Sequence, residues 1–159
     1  MIIVSACLLG QNCTYKGTSN KNDSLCQALK DQEILAVCPE VTGGLDIPRP
    51  PAEIMSGQSG QAVLAGSARV CTCDGQDVTE QFIKGAQHTL ALAKKYRPSA
   101  IILKESSPSC GSCFIHSGNF DGELIKGSGV TAALLKANGF KVFNEHNYPF
   151  AAKTRGENR

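Results

Sequence analysis

Eight cysteines in 159 residues are the part of this sequence best suited to chemistry. Three stand just past apolar runs: Cys7 after "IIVSA", Cys38 after "EILAV", and Cys110 after "AIILKE" within the turn "SPSCG". Thiolates are soft ligands, so three that meet select zinc or an iron–sulfur cluster. Three rather than four leave a coordination position open, as catalytic metal sites do. The plainer account of Cys7 and Cys38 is packing, because free cysteine behaves as a small buried hydrophobe.

The other cysteines form weaker patterns. Cys71 and Cys73 make a C-x-C whose side chains share one face of a strand, which suits packing or redox pairing. Together with Cys110 and Cys113 they would also offer four ligands to a structural zinc. Cys110-Gly-Ser-Cys113 has the spacing of a thioredoxin-like redox pair, but such a pair opens a helix. Here "FIHSGNF" follows and reads as a turn. Cys13 and Cys26 fall in polar loop and helix contexts, and no function is read for them.

Bringing Cys7, Cys38 and Cys110 together requires a particular order of elements. Apolar residues 2–6, 33–37 and 99–105 predict three strands, the last without polar alternation and so buried on both faces. "KVFNE" predicts a fourth. Helices are expected near Ser24–Asp31, from Asp77 to Pro98, and over Val130–Ala137, the last closed by Gly139. In the long one Phe82, Ile83, Ala86, Leu90 and Ala93 recur at helical spacing, and Asp77 with Glu80 has the form of a capping box. Residues 39–54, with Pro48, Pro50 and Pro51, predict irregular structure. Residues 61–73 predict a hairpin turning at Gly66–Ser67.

Strands alternating with helices make an α/β fold, a single-domain, three-layer, Rossmann-like arrangement with a mainly parallel sheet and a small hairpin insertion. In open sheets of this kind ligands bind beyond the carboxyl ends of the strands. The three cysteines would then open onto one crevice. The domain is expected to span 1–150, with a basic tail over 151–159.

Composition narrows the function further. A net charge of +2, 42% hydrophobic and 19% charged residues describe a soluble globular chain. Lys94, Lys95 and Arg97 read as a solvated helix face, so there is no strong nucleic-acid signal. No apolar run reaches the roughly 20 residues of a membrane span, and "MIIVSACLLG" lacks the positive flank of a secretory signal. A cytoplasmic protein is expected, where disulfides are rare.

"VSACLLG", "VCPEVTGGLDIPRPPAEI", "DVTEQFIKGA", "AIILKESSPSCGS" and "KGSGVTAALL" resemble, in order, the motifs of the thiouracil desulfurase (TudS) family, formerly catalogued as a bacterial domain of unknown function. The resemblance runs from Ile2 to about Glu145. It implies a [4Fe-4S] cluster with one open iron, held by Cys7, Cys38 and Cys110, and removal of sulfur from a thiolated nucleobase or nucleoside without net redox change. It maps the acid–base residues to Glu40 and Ser107. Read for themselves, Glu40 is equally a helix-cap or salt-bridge carboxylate and Ser107 a turn residue beside Pro108.

Two stretches depart from the family pattern. Thr14-Tyr15-Lys16-Gly17 stands where Arg-Tyr-Asp-Gly is usual, and Ser106 stands in place of an Arg. Glu53, Glu105 and Glu145 read as surface carboxylates or structural partners. His88 falls on the exposed side of the long helix and His116 and His146 in turns, all without a role. Gly127 and Gly129 open a helix in an anion-friendly geometry or simply form a turn. The rival to an enzyme is a metal-binding redox or sensor protein (Fe-S or zinc), which would need a fourth thiolate from Cys13 or Cys113.

Overall fold

In the computed structural model the chain begins with β1 (Ile2–Ser5), a 3-10 helix (Ala6–Leu9), α1 (Asp23–Ala28), β2 (Ile34–Val37) and α2 (Pro39–Thr42). Then come β3 (Ala52–Ile54), α3 (Gly60–Leu64), β4 (Val70–Thr72) and α4 (Thr79–Tyr96). The chain continues with β5 (Ala100–Ile102), β6 (Phe114–His116), β7 (Leu124–Lys126), α5 (Val130–Ala137) and β8 (Val142–Phe143). The structure describes residues 1–149, so the basic tail lies outside the described residues.

The central sheet has the order β2-β1-β5-β8 and is parallel at every pairing. Because side chains alternate along a strand, β1 serves two layers. Ile2 and Val4 pack with Leu25, Leu29 and Ile102 on the α1 side. Ile3 packs with Ile101, Leu103, Ala93 of α4 and Leu135 of α5 on the other. Ile3, Ile101, Ile102 and Leu103 are at most 1% exposed. Each such side chain contributes about 1.5–3 kcal/mol of burial. The three-layer α/β architecture expected from the strand–helix alternation is the one found.

Of the stripe on α4, Phe82, Ala86 and Ala93 are buried, while Ile83 and Leu90 lie at its half-buried edges. Gly85 faces α2 at such close range that a Cβ there would stand 1.9 Å from the carbonyl oxygen of Pro39. No side chain fits, and this contact fixes where α2 begins. The helix starts at Thr79, not in an Asp77–Glu80 capping box. Asp77 Oδ1 accepts from the Thr79 amide at 2.9 Å and from its hydroxyl, which caps the first turn from nearer by.

Three further expectations are corrected. Residues 61–73 do not form a hairpin. Gly66 and Ser67 terminate α3, their amides donating back to Val63 and Ala62, so the glycine is a helix stop. The hairpin partner of β4 is β3, drawn from the proline-rich segment 39–54. That segment is therefore not wholly irregular: Pro39 occupies the first turn of α2, where a missing N–H costs nothing, and Pro50 and Pro51 precede β3. "FIHSGNF" likewise opens with β6, which pairs antiparallel with β7. The strands β5 and β8 are shorter than expected, since the chain leaves the sheet after Ile102 and Phe143. Beneath the two hairpins Ile54, Val70, Phe82, Ile115 and Val130 form a third apolar cluster.

Candidate active site

From β1 the sheet extends to β2 on one side and from β5 to β8 on the other, so the strand order reverses between β1 and β5. A ligand crevice is expected at such a switch point. A cavity of about 710 Å³ lies there, within the usual range for small-molecule sites. Cys7, Cys38 and Cys110 all line it, together with Cys13, Glu40, Arg49, Lys104 and Ser107.

Each thiol is positioned locally. Cys7 sits in the 3-10 helix that ends β1, and its carbonyl accepts from the amides of Gly10 and Asn20. Cys38 is the residue before Pro39, extended at φ −132, so α2 leaves the sheet immediately behind it. Cys110 lies in a turn capped by Ser107, whose Oγ accepts from the amides of Ser109 and Cys110, both at 3.1 Å. That turn is buttressed by α5. The amides of Val130, Thr131 and Ala132 donate to the carbonyls of Pro108 and Ser109. Those amides are therefore occupied, and the anion-binding reading of Gly127 and Gly129 gives way to a backbone junction.

Electrostatics divide the cysteines. The Cys13 thiol hydrogen-bonds Cys38 and Cys7, which holds its own proton tightly and pushes it above the ordinary thiol range. The same bonds ease ionisation of their partners: Cys38 is lowered to about 7, and Cys7 is lowered against the effect of burial. Cys110 is pushed up, by burial first and by the charge of Glu40 second. The carboxyl of Glu40, 19% exposed, is raised by burial, while Arg49 and Ser107 pull it back.

Arg49 is the organiser that sequence reasoning missed. Its side chain is 6% exposed and lies 3.4 Å from Glu40, and its Nη2 donates to the Cys13 carbonyl at 2.8 Å. A cation flanked by Pro48, Pro50 and Pro51 was the available signal, since prolines fix where it can reach.

The donor set suits a thiolate-bound group larger than one ion. Cys110 feels the charges of Cys7 and Cys38. Yet among the described residues no three His, Cys, Asp or Glu are close enough to hold a single metal ion. Three cavity-lining thiols suit a soft, thiolate-bound group such as an iron–sulfur cluster, and a bound cation would remove the remaining thiol protons.

The family model for 2-thiouracil desulfurase matches residues 2–147. The chain belongs to this family. It is 49% identical over 146 residues to the uncharacterized protein YbbK of Bacillus subtilis (strain 168), covering 92% of this chain and 96% of that one. Among solved structures it resembles the [4Fe-4S]-dependent thiouracil desulfidase TudS, with a TM-score of 0.81 and 41% identity over 98% of this chain and 97% of that one.

Within this family member the departures Thr14, Lys16 and Ser106 all line the cavity. Ser106 is held at φ 72, with its amide donating to Glu105. Glu53, Glu105 and Glu145 are buried, so their structural reading stands and the surface one does not. Glu105 Oε1 accepts from the amides of Ser106, Ser112, Cys113 and Phe114 and folds the loop after β5 around itself. Cys13, read from sequence as a polar-loop residue, is buried in the cavity wall, whereas Cys113 is exposed and does not line it. His116 lies on β6 rather than in a turn and also lines the cavity, unlike the exposed His88 and His146. Among the described residues no helix is long and apolar enough to cross a membrane.

Proposed function

We propose that this chain hydrolyses the C=S bond of a thiolated pyrimidine, base or nucleoside, yielding the oxo-pyrimidine and sulfide without net redox change. The observation that carries the reading is the meeting of Cys7, Cys38 and Cys110 with Glu40 and Ser107 in one cavity. Family membership and the likeness to TudS support it. Held by those three thiolates, a [4Fe-4S] cluster supplies an open iron that acts as a Lewis acid toward sulfur.

The protein's own residues handle water and protons. Glu40, its carboxyl pKa raised by burial and its ionised form supported by Arg49, takes a proton from the attacking water. Arg49 keeps that carboxylate oriented and available. The Ser107 oxygen accepts two amides, and its O–H donates to Glu40, which joins the two groups in one proton path. From there it passes a proton to the ring nitrogen or the departing sulfur, while Glu40 replaces it. Water supplies the new carbonyl oxygen and sulfur departs as hydrosulfide, so the electrons balance.

Such a thiol-based site requires a reducing compartment, and the cytoplasm is proposed. The domain is read as 1–150 with the tail 151–159 beyond it, in keeping with a family match that stops at residue 147. The redox or sensor alternative rests on Cys13, the remaining buried thiol of the cavity wall, as a fourth ligand. Anaerobic reconstitution with iron and sulfide, followed by sulfide release from 2-thiouracil, 4-thiouracil and 4-thiouridine, tests the assignment. Iron-dependent sulfide release matched by oxo-pyrimidine is expected. A reconstituted cluster that releases none from any of them would overturn it in favour of the sensor.

A further inference from the structure

The cavity has another wall, for which the hydrolysis as derived has no use. His116 and Phe120, from β6 and the loop behind it, line the same space as Cys7, Cys38, Glu40 and Ser107. Phe120 is held at φ 53, a left-handed conformation uncommon for a bulky residue and kept only where the surroundings impose it. The imposing group is Glu53 of β3, 8% exposed, whose Oε1 accepts from the amides of Gly118 at 2.8 Å and Phe120 at 3.2 Å. One buried carboxylate thus sets the place from which the phenyl ring reaches the cavity.

His116 adds a polar counterpart. Its Nδ1 is buried without a hydrogen-bond partner, and the residue lines the cavity. An orphaned buried N–H is rarer and less tolerable than an unshared lone pair. An Nδ1 with no acceptor beside it is best left as a lone pair, which places the ring N–H on Nε2. The cavity wall therefore carries an aromatic side chain and an N–H donor.

We propose that this hairpin reads the pyrimidine ring: Phe120 stacks on the heterocycle, and His116 Nε2–H donates to the exocyclic oxygen that the substrate keeps. The substrate class is then an oxo-thiopyrimidine, and a thiopyrimidine without that oxygen is disfavoured. The inference rests on the desulfurase reading and adds the residues that set its specificity.

The test compares 2-thiouracil with pyrimidine-2-thione, which has the same sulfur and lacks the second carbonyl. On the reconstituted enzyme, His116→Ala should lower kcat/KM for 2-thiouracil roughly tenfold, the worth of one neutral hydrogen bond, chiefly through KM. Pyrimidine-2-thione should change by less than about twofold, because it never made that bond. His116→Gln, which retains a donor, should recover part of the loss. Phe120→Ala should raise KM for both compounds by roughly 10- to 100-fold, as loss of base stacking does, and Phe120→Tyr should restore it. Cluster absorbance and circular dichroism verify that each variant is loaded and folded. Wild-type enzyme inactive on both compounds would sink the desulfurase reading itself. Active wild type with a His116→Ala effect that is equal on the two compounds, or absent, would sink the hairpin proposal alone.

Discussion

Cys7 and Phe120 line the same cavity, but they are held there in different ways. Cys7 and Cys38 follow the ends of β1 and β2 directly, in a 3-10 turn and before a proline at a helix start, and Cys110 sits in a serine-capped turn of the loop after β5. The layers of Ile, Val and Leu behind them spread the stabilisation over many small contributions. Phe120 and His116 come from short antiparallel hairpins, and the loop bearing Phe120 is tied by a single buried carboxylate, Glu53. Thiol placement is thus a property of the whole sheet, while ring recognition depends on a few strong hydrogen bonds.

The largest expected effect tests the sheet side. Cys7→Ser, Cys38→Ser and Cys110→Ser should each abolish the cluster and sulfide release, since a neutral hydroxyl replaces a thiolate in the cage. Full iron occupancy with brown absorbance in any of the three would break the assignment. Next is Glu40→Gln, which keeps size and hydrogen bonding and removes the base. Turnover should fall ~10²–10⁴-fold with the cluster intact, and near wild-type turnover would remove Glu40 from the mechanism.

Glu105 lies on the boundary between the two walls and gives a smaller, pH-dependent effect. Burial pushes its carboxyl up, but the amides of Cys113, Phe114, Ser106 and Ser112 outweigh that and hold it below the usual carboxylate range. Its contribution to stability is therefore fully present above the unfolded value of about 4.3 and is lost as pH falls through the lowered native value. Glu105→Gln should cost about 1–3 kcal/mol in urea unfolding at pH 7 and converge on wild type in acid. A deficit independent of pH would mean packing, not charge, is at stake. Smallest of all, Cys26→Ser and Cys71→Ser should leave iron content and turnover within about twofold of wild type, since both lie outside the cavity lining.

The thiol side was legible in the sequence because its signals are local: an apolar run, then a cysteine, three times over. Val130–Ala137 was also read to the residue, having both a periodic face and a glycine stop. The hairpin side was not legible. Strands of three residues carry too little alternation to register, and β3 lies behind prolines that argue for loop. Arg49 and Glu53 look like ordinary surface residues until partners dozens of positions away, the Cys13 carbonyl and the Gly118 and Phe120 amides, bury them. Cys13 was named only as a fourth ligand in the rival reading, because its polar neighbours say nothing of the two thiols it meets.

Ile2 pairs with Ile34 on one side and with Ala100 on the other. During synthesis β1 lacks its second neighbour until the chain has been extended as far as Ala100. Closing so long a loop comes late in folding and is slow. Cys110 reaches Cys7 and Cys38 only after that closure, so iron delivered to the growing chain finds an incomplete set of ligands. The cradle must assemble before its cargo arrives, unlike a zinc finger, whose metal drives folding. Cluster loading is then expected to follow folding, and iron starvation should leave a folded, empty chain rather than an unfolded one.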